Sequence, residues 1–263
     1  MRELSLFSGA GGGLLGSKLL GWKTVGYVEI NDYFQRIIAQ RITDGILDNA
    51  PIFGNIEAFI DSGYSAAYTE LVDIITAGFP CQPFSLAGKR KGEQDQRNQW
   101  PNIIKCIRII RPKFCFLENV PGLLSSGYFG QILADLAEIG YDCRWRCLSA
   151  AELGAPHIRN RLWILAYANG IGCGSRYESA GWETGADFDR CRERANVVDT
   201  NSKSQPESSR ESAWNAGWWD IEPGMGRMVD GMAFRVDRLK AIGNGQVPAV
   251  VAKVWKLLTG NLI

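Results

Sequence analysis

Short, nearly continuous apolar runs alternate with segments of helical period along the first two-thirds of the chain. Residues 3–7 read as a strand, the glycine-rich residues 8–13 as a turn, and a helix begins at about Leu14. Residues 24–29 read as a second strand and residues 32–40 as a second helix. Residues 73–77 (DIITA) and 113–118 (KFCFLE) are further apolar runs of strand length. Residues 129–139 repeat with a helical period, and residues 141–148 and 161–167 are late strands. Strands that alternate with helices, each nearly apolar along its length, predict a parallel sheet covered on both faces.

The texture changes after residue 168, where glycine, serine and charge rise and periodicity fades. Residues 199–212 (DTNSKSQPESSRES) lack the apolar content to offset the entropy of ordering them, and predict a loop. Trp182, Trp214, Trp218 and Trp219 flank it, and the last three predict a compact apolar anchor. Helical character returns over residues 247–258. The expected partition is an α/β domain of residues 1–167 plus 235–263, with a small irregular second domain at 168–234.

The balance of 29 basic and 28 acidic residues, net +1, excludes a globally basic nucleic-acid binder, so any polyanion contact is local. Residues 168–239 hold nine basic and twelve acidic side chains, an odd balance for a module that approaches phosphates. No apolar run approaches the ~18 residues of a membrane span, and the first residues lack a signal-peptide core. A single histidine, His157, and no C-x-x-C pair argue against a metal site. Seven cysteines without regular spacing read as reduced thiols in a cytoplasmic protein.

Three loops carry candidate chemistry. The first, Leu6-Phe7-Ser8-Gly9-Ala10-Gly11-Gly12-Gly13, joins a strand to a helix, where glycines admit a ligand close to free helix amides. Glu29 ends the second strand where a ribose-binding acid belongs. A nicotinamide or flavin dinucleotide and an adenosyl cofactor without phosphates both fit this pair. The second, Gly78-Phe79-Pro80-Cys81-Gln82-Pro83-Phe84-Ser85, fences a cysteine between two prolines after a strand. A thiol held there needs little help to become a nucleophile. Cys106 and Cys115 lie in apolar runs and are expected in the core. The third, Phe116-Leu117-Glu118-Asn119-Val120, ends an apolar strand with a carboxylate, whose desolvation raises its pKa and suits it to donate to a ring nitrogen.

Together, and in this order, these segments resemble the DNA (cytosine-5)-methyltransferase family, bacterial or phage type. An Arg-x-Arg element is present as Arg159-Asn160-Arg161, and a Gly-Asn-x-x-x-Pro element as residues 243–248. The resemblance covers about residues 1–167 and 235–260. It implies a Rossmann-like, S-adenosylmethionine-dependent methyltransferase sheet, with double-stranded DNA as substrate. It further implies a monomer with no membrane association, and a cognate restriction endonuclease as partner. By the same resemblance, Cys81, Glu118, Arg159 and Arg161 are catalytic. Phe7, Gly9, Gly11, Glu29, Ile30, Asn55, Ile56, Pro80, Trp100, Asn244 and Gln246 hold the cofactor, with Phe7 and Trp100 as apolar walls. Gln82, Ser85, Lys89, Arg97, Asn119 and Val120 contact substrate, and residues 85–98 form a loop that closes on the flipped base. Two positions depart from the family pattern: His157 replaces a Gln, and Gly54-Asn55-Ile56 replaces Gly-Asp-Ile. An Asn oxygen can accept the hydrogen bond that the Asp would take from an adenine amine.

Three other functions compete. A DNA-binding protein that has lost catalysis conflicts with the intact catalytic residue types. An RNA cytosine methyltransferase fits the loop of Cys81 less well than the bacterial DNA enzymes do. A nicotinamide oxidoreductase leaves Cys81 and Glu118 unexplained.

Overall fold

The computed structural model describes residues 1–80, 98–171, 237, 243, 245–260 and 262. Cys81, Gln82, Ser85, Lys89, Arg97, Asn244, the run 199–212 and Trp182, Trp214, Trp218 and Trp219 lie outside the described residues, as does most of the expected second domain.

Among the described residues, seven strands form one sheet: β1 (Arg2–Leu6), β2 (Lys23–Val28), β3 (Ile52–Phe53), β4 (Ile74–Gly78), β5 (Phe114–Asn119), β6 (Tyr141–Ser149) and β7 (Asn160–Ala168). Their order is 3-2-1-4-5-7-6. The first five are parallel to their neighbours, whereas β7 runs antiparallel to both β5 and β6. This corrects the wholly parallel sheet expected from the sequence. The segment between β6 and β7 is too short for the crossover of a dozen or more residues that parallel neighbours require, so the chain turns back on itself.

Among the described residues six α-helices cover the sheet. On one face α1 (Gly12–Leu19) packs beside α6 (Pro248–Thr259), where Gly16 leaves room for Val251. The core beneath them includes Trp22 set edge-on to Trp255 at 4.7 Å, with Phe114 and Phe116 alongside. The other face carries α3 (Ile56–Asp61), α4 (Trp100–Ile110) and α5 (Tyr128–Glu138) over a core of Phe59, Ile103, Ile107 and Ile132. The α2 helix (Asp32–Thr43) is capped by Asn31, whose side chain accepts from Tyr33 N and Phe34 N. None of the helices among the described residues is long and apolar enough to cross a membrane.

Three cysteines sit where the apolar runs placed them or nearby. Cys106 and Cys115 are fully buried, and Cys143 is half-buried; all three are free. Burial pushes the thiols of Cys106 and Cys143 up to about 12 and that of Cys115 well above its usual range, so none of them is a nucleophile near neutral pH. Cys147 departs from the expectation of reduced thiols and is disulfide-bonded.

The lower ends of three strands are tied by one carboxylate. Asp73 accepts the Arg2 backbone N–H at 2.8 Å, with Arg2 Nε at 3.3 Å and Lys113 Nζ at 3.4 Å. The Arg2 hydrogen bond holds its carboxyl down at about 2. A depressed folded-state pKa contributes stability above the ordinary value of 3.8, and that contribution is lost as pH falls through about 2. Asp73→Asn is therefore expected to lower the melting temperature at pH 6, with the difference from wild type closing by pH 2 in melts across that range.

Candidate active site

The order 3-2-1-4 reverses at the boundary between β1 and β4, and ligands bind outside the carboxyl ends of strands at such a point. A cavity of about 520 Å³ opens there, in the range of sites for drug-sized ligands. The loop after β1 lines one side of it, the end of β2 and the start of α3 a second, and the ends of β4 and β5, the start of β7 and Gln246 others.

The loop after β1 turns on left-handed backbone: Phe7 has φ 54°, Gly9 56° and Gly11 87°. The turn aims the Gly9 N–H at Glu29 Oε2, 2.6 Å away, while Asn31 N donates to Oε1 at 2.8 Å. Glu29 is buried against the cavity, and that burial raises its pKa despite these backbone hydrogen bonds. Each oxygen keeps a lone pair for a hydroxyl of a ligand. Ile30, 69% exposed, and the buried Ile56 add apolar surface. Asn55 borders the cavity as the cap of α3, with Oδ1 accepting from Glu57 N at 2.6 Å. That oxygen keeps one further acceptor site for an amine.

Two expected cofactor residues are elsewhere. Trp100 is 1% exposed and does not line the cavity. It starts α4, packs on Phe79 and donates its indole N–H to Asp135 at 2.7 Å, so it braces the wall from behind. Gly11 is not on the cavity either; it turns the loop into α1, with the Arg41 guanidinium where a side chain would project.

At the other end lies Glu118, on the last turn of the pleat of β5. It is buried and held by Arg161 Nε at 3.0 Å from Oε1 and by Gln246 Nε2 at 3.3 Å from Oε2. Burial raises its pKa, and Arg161, Gln246 and Arg159 pull the other way without cancelling the shift. Arg159 has φ 31° and donates from Nη1 to Gly243 O at 2.7 Å, while its Nε and Nη2 are buried without a hydrogen-bond partner. Such unpaired donors are poised for an acceptor. Asn119 and Val120 line the cavity beside Glu118. The Asn119 Nδ2 lies 3.4 Å from Phe79 O, which fixes the backbone entering Pro80; Pro80 also lines the cavity and immediately precedes Cys81.

Gln246 decides between the two cofactor classes left open by the glycine loop. Side chains on Gly12 or Gly13 would overlap Gln246, and one on Gly78 would meet its amide at 2.8 Å. Gln246 thus fills the space at the start of α1 where a dinucleotide's pyrophosphate would rest. Among the described lining residues Arg161 is the one cation, already held by Glu118, and the further acids Glu3, Glu29 and Glu57 outnumber it. A cationic adenosyl group fits this wall and a diphosphate does not. Gln246, expected among the cofactor residues, does line the cavity; its closing of the glycine loop is a contact that the motif at 243–248 does not encode.

This sheet, with its antiparallel seventh strand and with a glycine loop and a strand-terminal acid facing one cavity, is that of a Rossmann-like methyltransferase. The model of the C-5 cytosine-specific DNA methylase family matches residues 1–225, and the chain belongs to that family. It is 33% identical over 170 residues to the type II methyltransferase M.NgoMIV of Neisseria gonorrhoeae, covering 64% of this chain and 52% of that protein. It is 34% identical over 167 residues to M.CviJI of a Paramecium bursaria Chlorella virus, covering 63% and 42%. The match therefore spans about half the length of these curated relatives. The fold matches the S. pombe Dnmt2 methyltransferase structure with a TM-score of 0.62 at 17% identity, covering 100% of this chain and 99% of that one.

Proposed function

We propose that the protein methylates C5 of cytosine in double-stranded DNA, with S-adenosylmethionine as methyl donor. The observation that carries this reading is the ion pair of buried Glu118 with half-buried Arg161 at one end of the same cavity whose other end holds Glu29. One end suits a pyrimidine edge and the other a ribose.

Cytosine C5 is a poor nucleophile. Addition of the Cys81 thiolate to C6 makes C5 enamine-like, and C5 then takes up the methyl group. Loss of the C5 proton and expulsion of the thiolate restore the aromatic ring. Glu118, whose pKa burial raises, donates in its protonated form to N3 as the thiolate adds, which stabilises the charge developing on the ring. Arg161 holds Glu118 in place, and the free donors of Arg159 face O2 or a nearby phosphate. When bound, S-adenosylmethionine supplies an electrophilic methyl group on a sulfonium, and Glu29, Phe7, Ile30, Ile56 and Asn55 would hold its nucleoside. The base must leave the duplex stack to reach this cavity, at a cost of a few kcal/mol. Residues 168–234 serve target recognition in this reading, the chain acts as a monomer, and a cognate restriction endonuclease cuts the same site when unmethylated. The type II methyltransferases it resembles support that last assignment.

DNA carrying 5-fluorocytosine tests the reading. The C5 fluorine cannot be removed as a cation in the way the C5 proton is, so expulsion of the thiolate is blocked after methyl addition, and a covalent complex resistant to denaturant is expected, dependent on S-adenosylmethionine. Absence of such a complex on mixed-sequence DNA would count against the mechanism. For the cofactor end, Glu29→Ala is expected to weaken S-adenosylmethionine binding by ~1.5–3 kcal/mol, the scale of hydrogen bonds to a charged group. Calorimetry that finds affinity unchanged would remove Glu29 from the site.

A further inference from the structure

Glu3 is an acid inside an apolar strand, 1% exposed, and no part of the mechanism uses it. Its carboxylate accepts three hydroxyls: Thr76 Oγ1 at 2.6 Å, Ser17 Oγ at 2.8 Å and Thr24 Oγ1 at 3.0 Å. Among the described residues no cation pairs with it, and Asp48 adds a like charge nearby. Burying a carboxylate in this way is costly, and an apolar residue on the same strand would serve the core better. What the carboxylate adds is three directional contacts to three different elements.

Each of those elements carries a separate part of the site. Ser17 is on α1, whose first turn borders the cavity. Thr24 is on β2, which ends just before Glu29. Thr76 is on β4, which ends two residues before Pro80, the residue that precedes Cys81 in the sequence. Glu3 itself forms part of the cavity wall. We infer that Glu3 is a positioning residue. Its carboxylate sets the cofactor half, through Ser17 and Thr24, in register with the nucleophile half, through Thr76. This inference rests on the methyl-transfer reading above.

A split between two constants tests it: S-adenosylmethionine affinity by calorimetry, and the rate of covalent trapping on 5-fluorocytosine DNA at saturating cofactor. Ser17→Ala and Thr24→Val are expected to weaken cofactor binding several-fold and to leave the trapping rate within about twofold, since a lost hydrogen bond to a charged group acts locally. Thr76→Val is expected to slow trapping about tenfold while cofactor affinity stays within about twofold. Glu3→Leu should move both constants, and Glu3→Gln, which keeps one acceptor oxygen and gains a donor, should recover most of both. If Glu3→Leu does not fold, the three hydroxyl variants carry the test. Hydroxyl variants that lower the melting temperature without moving either constant, or that move both in equal proportion, would overturn the inference. A wild-type protein that neither binds the cofactor nor traps DNA would overturn the proposed function, and this inference with it.

Discussion

Cys81→Ala is expected to lose methyl transfer by several powers of ten, the scale on which removal of an enzyme's nucleophile acts. Among the described residues no other thiol offers a substitute: Cys106, Cys115 and Cys143 are pushed far above neutrality by burial, and Cys147 is disulfide-bonded. The variant should still bind S-adenosylmethionine, because the Gly9–Glu29 contact and the apolar surfaces of Ile30 and Ile56 come from other segments of the chain. It should also fail to form the covalent complex with 5-fluorocytosine DNA. Trapping that persists in Cys81→Ala, read by denaturing electrophoresis, would remove Cys81 from the mechanism.

Glu118→Gln is expected to slow the chemical step ~10²-fold or more, the usual range for loss of a positioned acid. The amide can keep its contact with Arg161 or Gln246 but has no proton to share with a ring nitrogen. The pH dependence gives the sign. In the proposed mechanism Glu118 acts in its protonated form, and its pKa is raised, so the rate should fall on the alkaline side as it ionises. The Cys81 thiolate acts in the opposite sense, since its fraction grows with pH. Wild type should therefore show a bell-shaped profile, and Glu118→Gln should keep the rising limb and lose the falling one. A loss of less than about fivefold, or an unchanged profile, would show that Glu118 does not act as the acid.

Local chemistry was the legible part of this chain. The Gly9 turn, Glu29 and Glu118 stood out because each breaks the pattern around it: glycines interrupt a strand–helix junction, and acids end apolar strands. The structure brings these three to one cavity. Strand direction was not legible, because β7 is as apolar as the parallel strands of the sheet; only the shortness of the connection from β6 betrays it. Trp100 misled for a related reason. An aromatic close to a catalytic loop has the same sequence signature whether it faces the ligand or, as here, the core behind Phe79. Gly11 illustrates a third limit: it satisfies the loop pattern for the sake of its left-handed backbone, and its neighbours make the cavity wall. The placements of Glu3 and Gln246 depend on partners 14 to 128 residues away, which no local pattern encodes.

The central claim is the atom that receives the methyl group. Mixed-sequence double-stranded DNA can be incubated with the full chain and methyl-labelled S-adenosylmethionine, digested to nucleosides and resolved by mass spectrometry. The label is expected in 5-methylcytosine and in no other base. Label in N4-methylcytosine or N6-methyladenine, or DNA left unlabelled, would contradict the account.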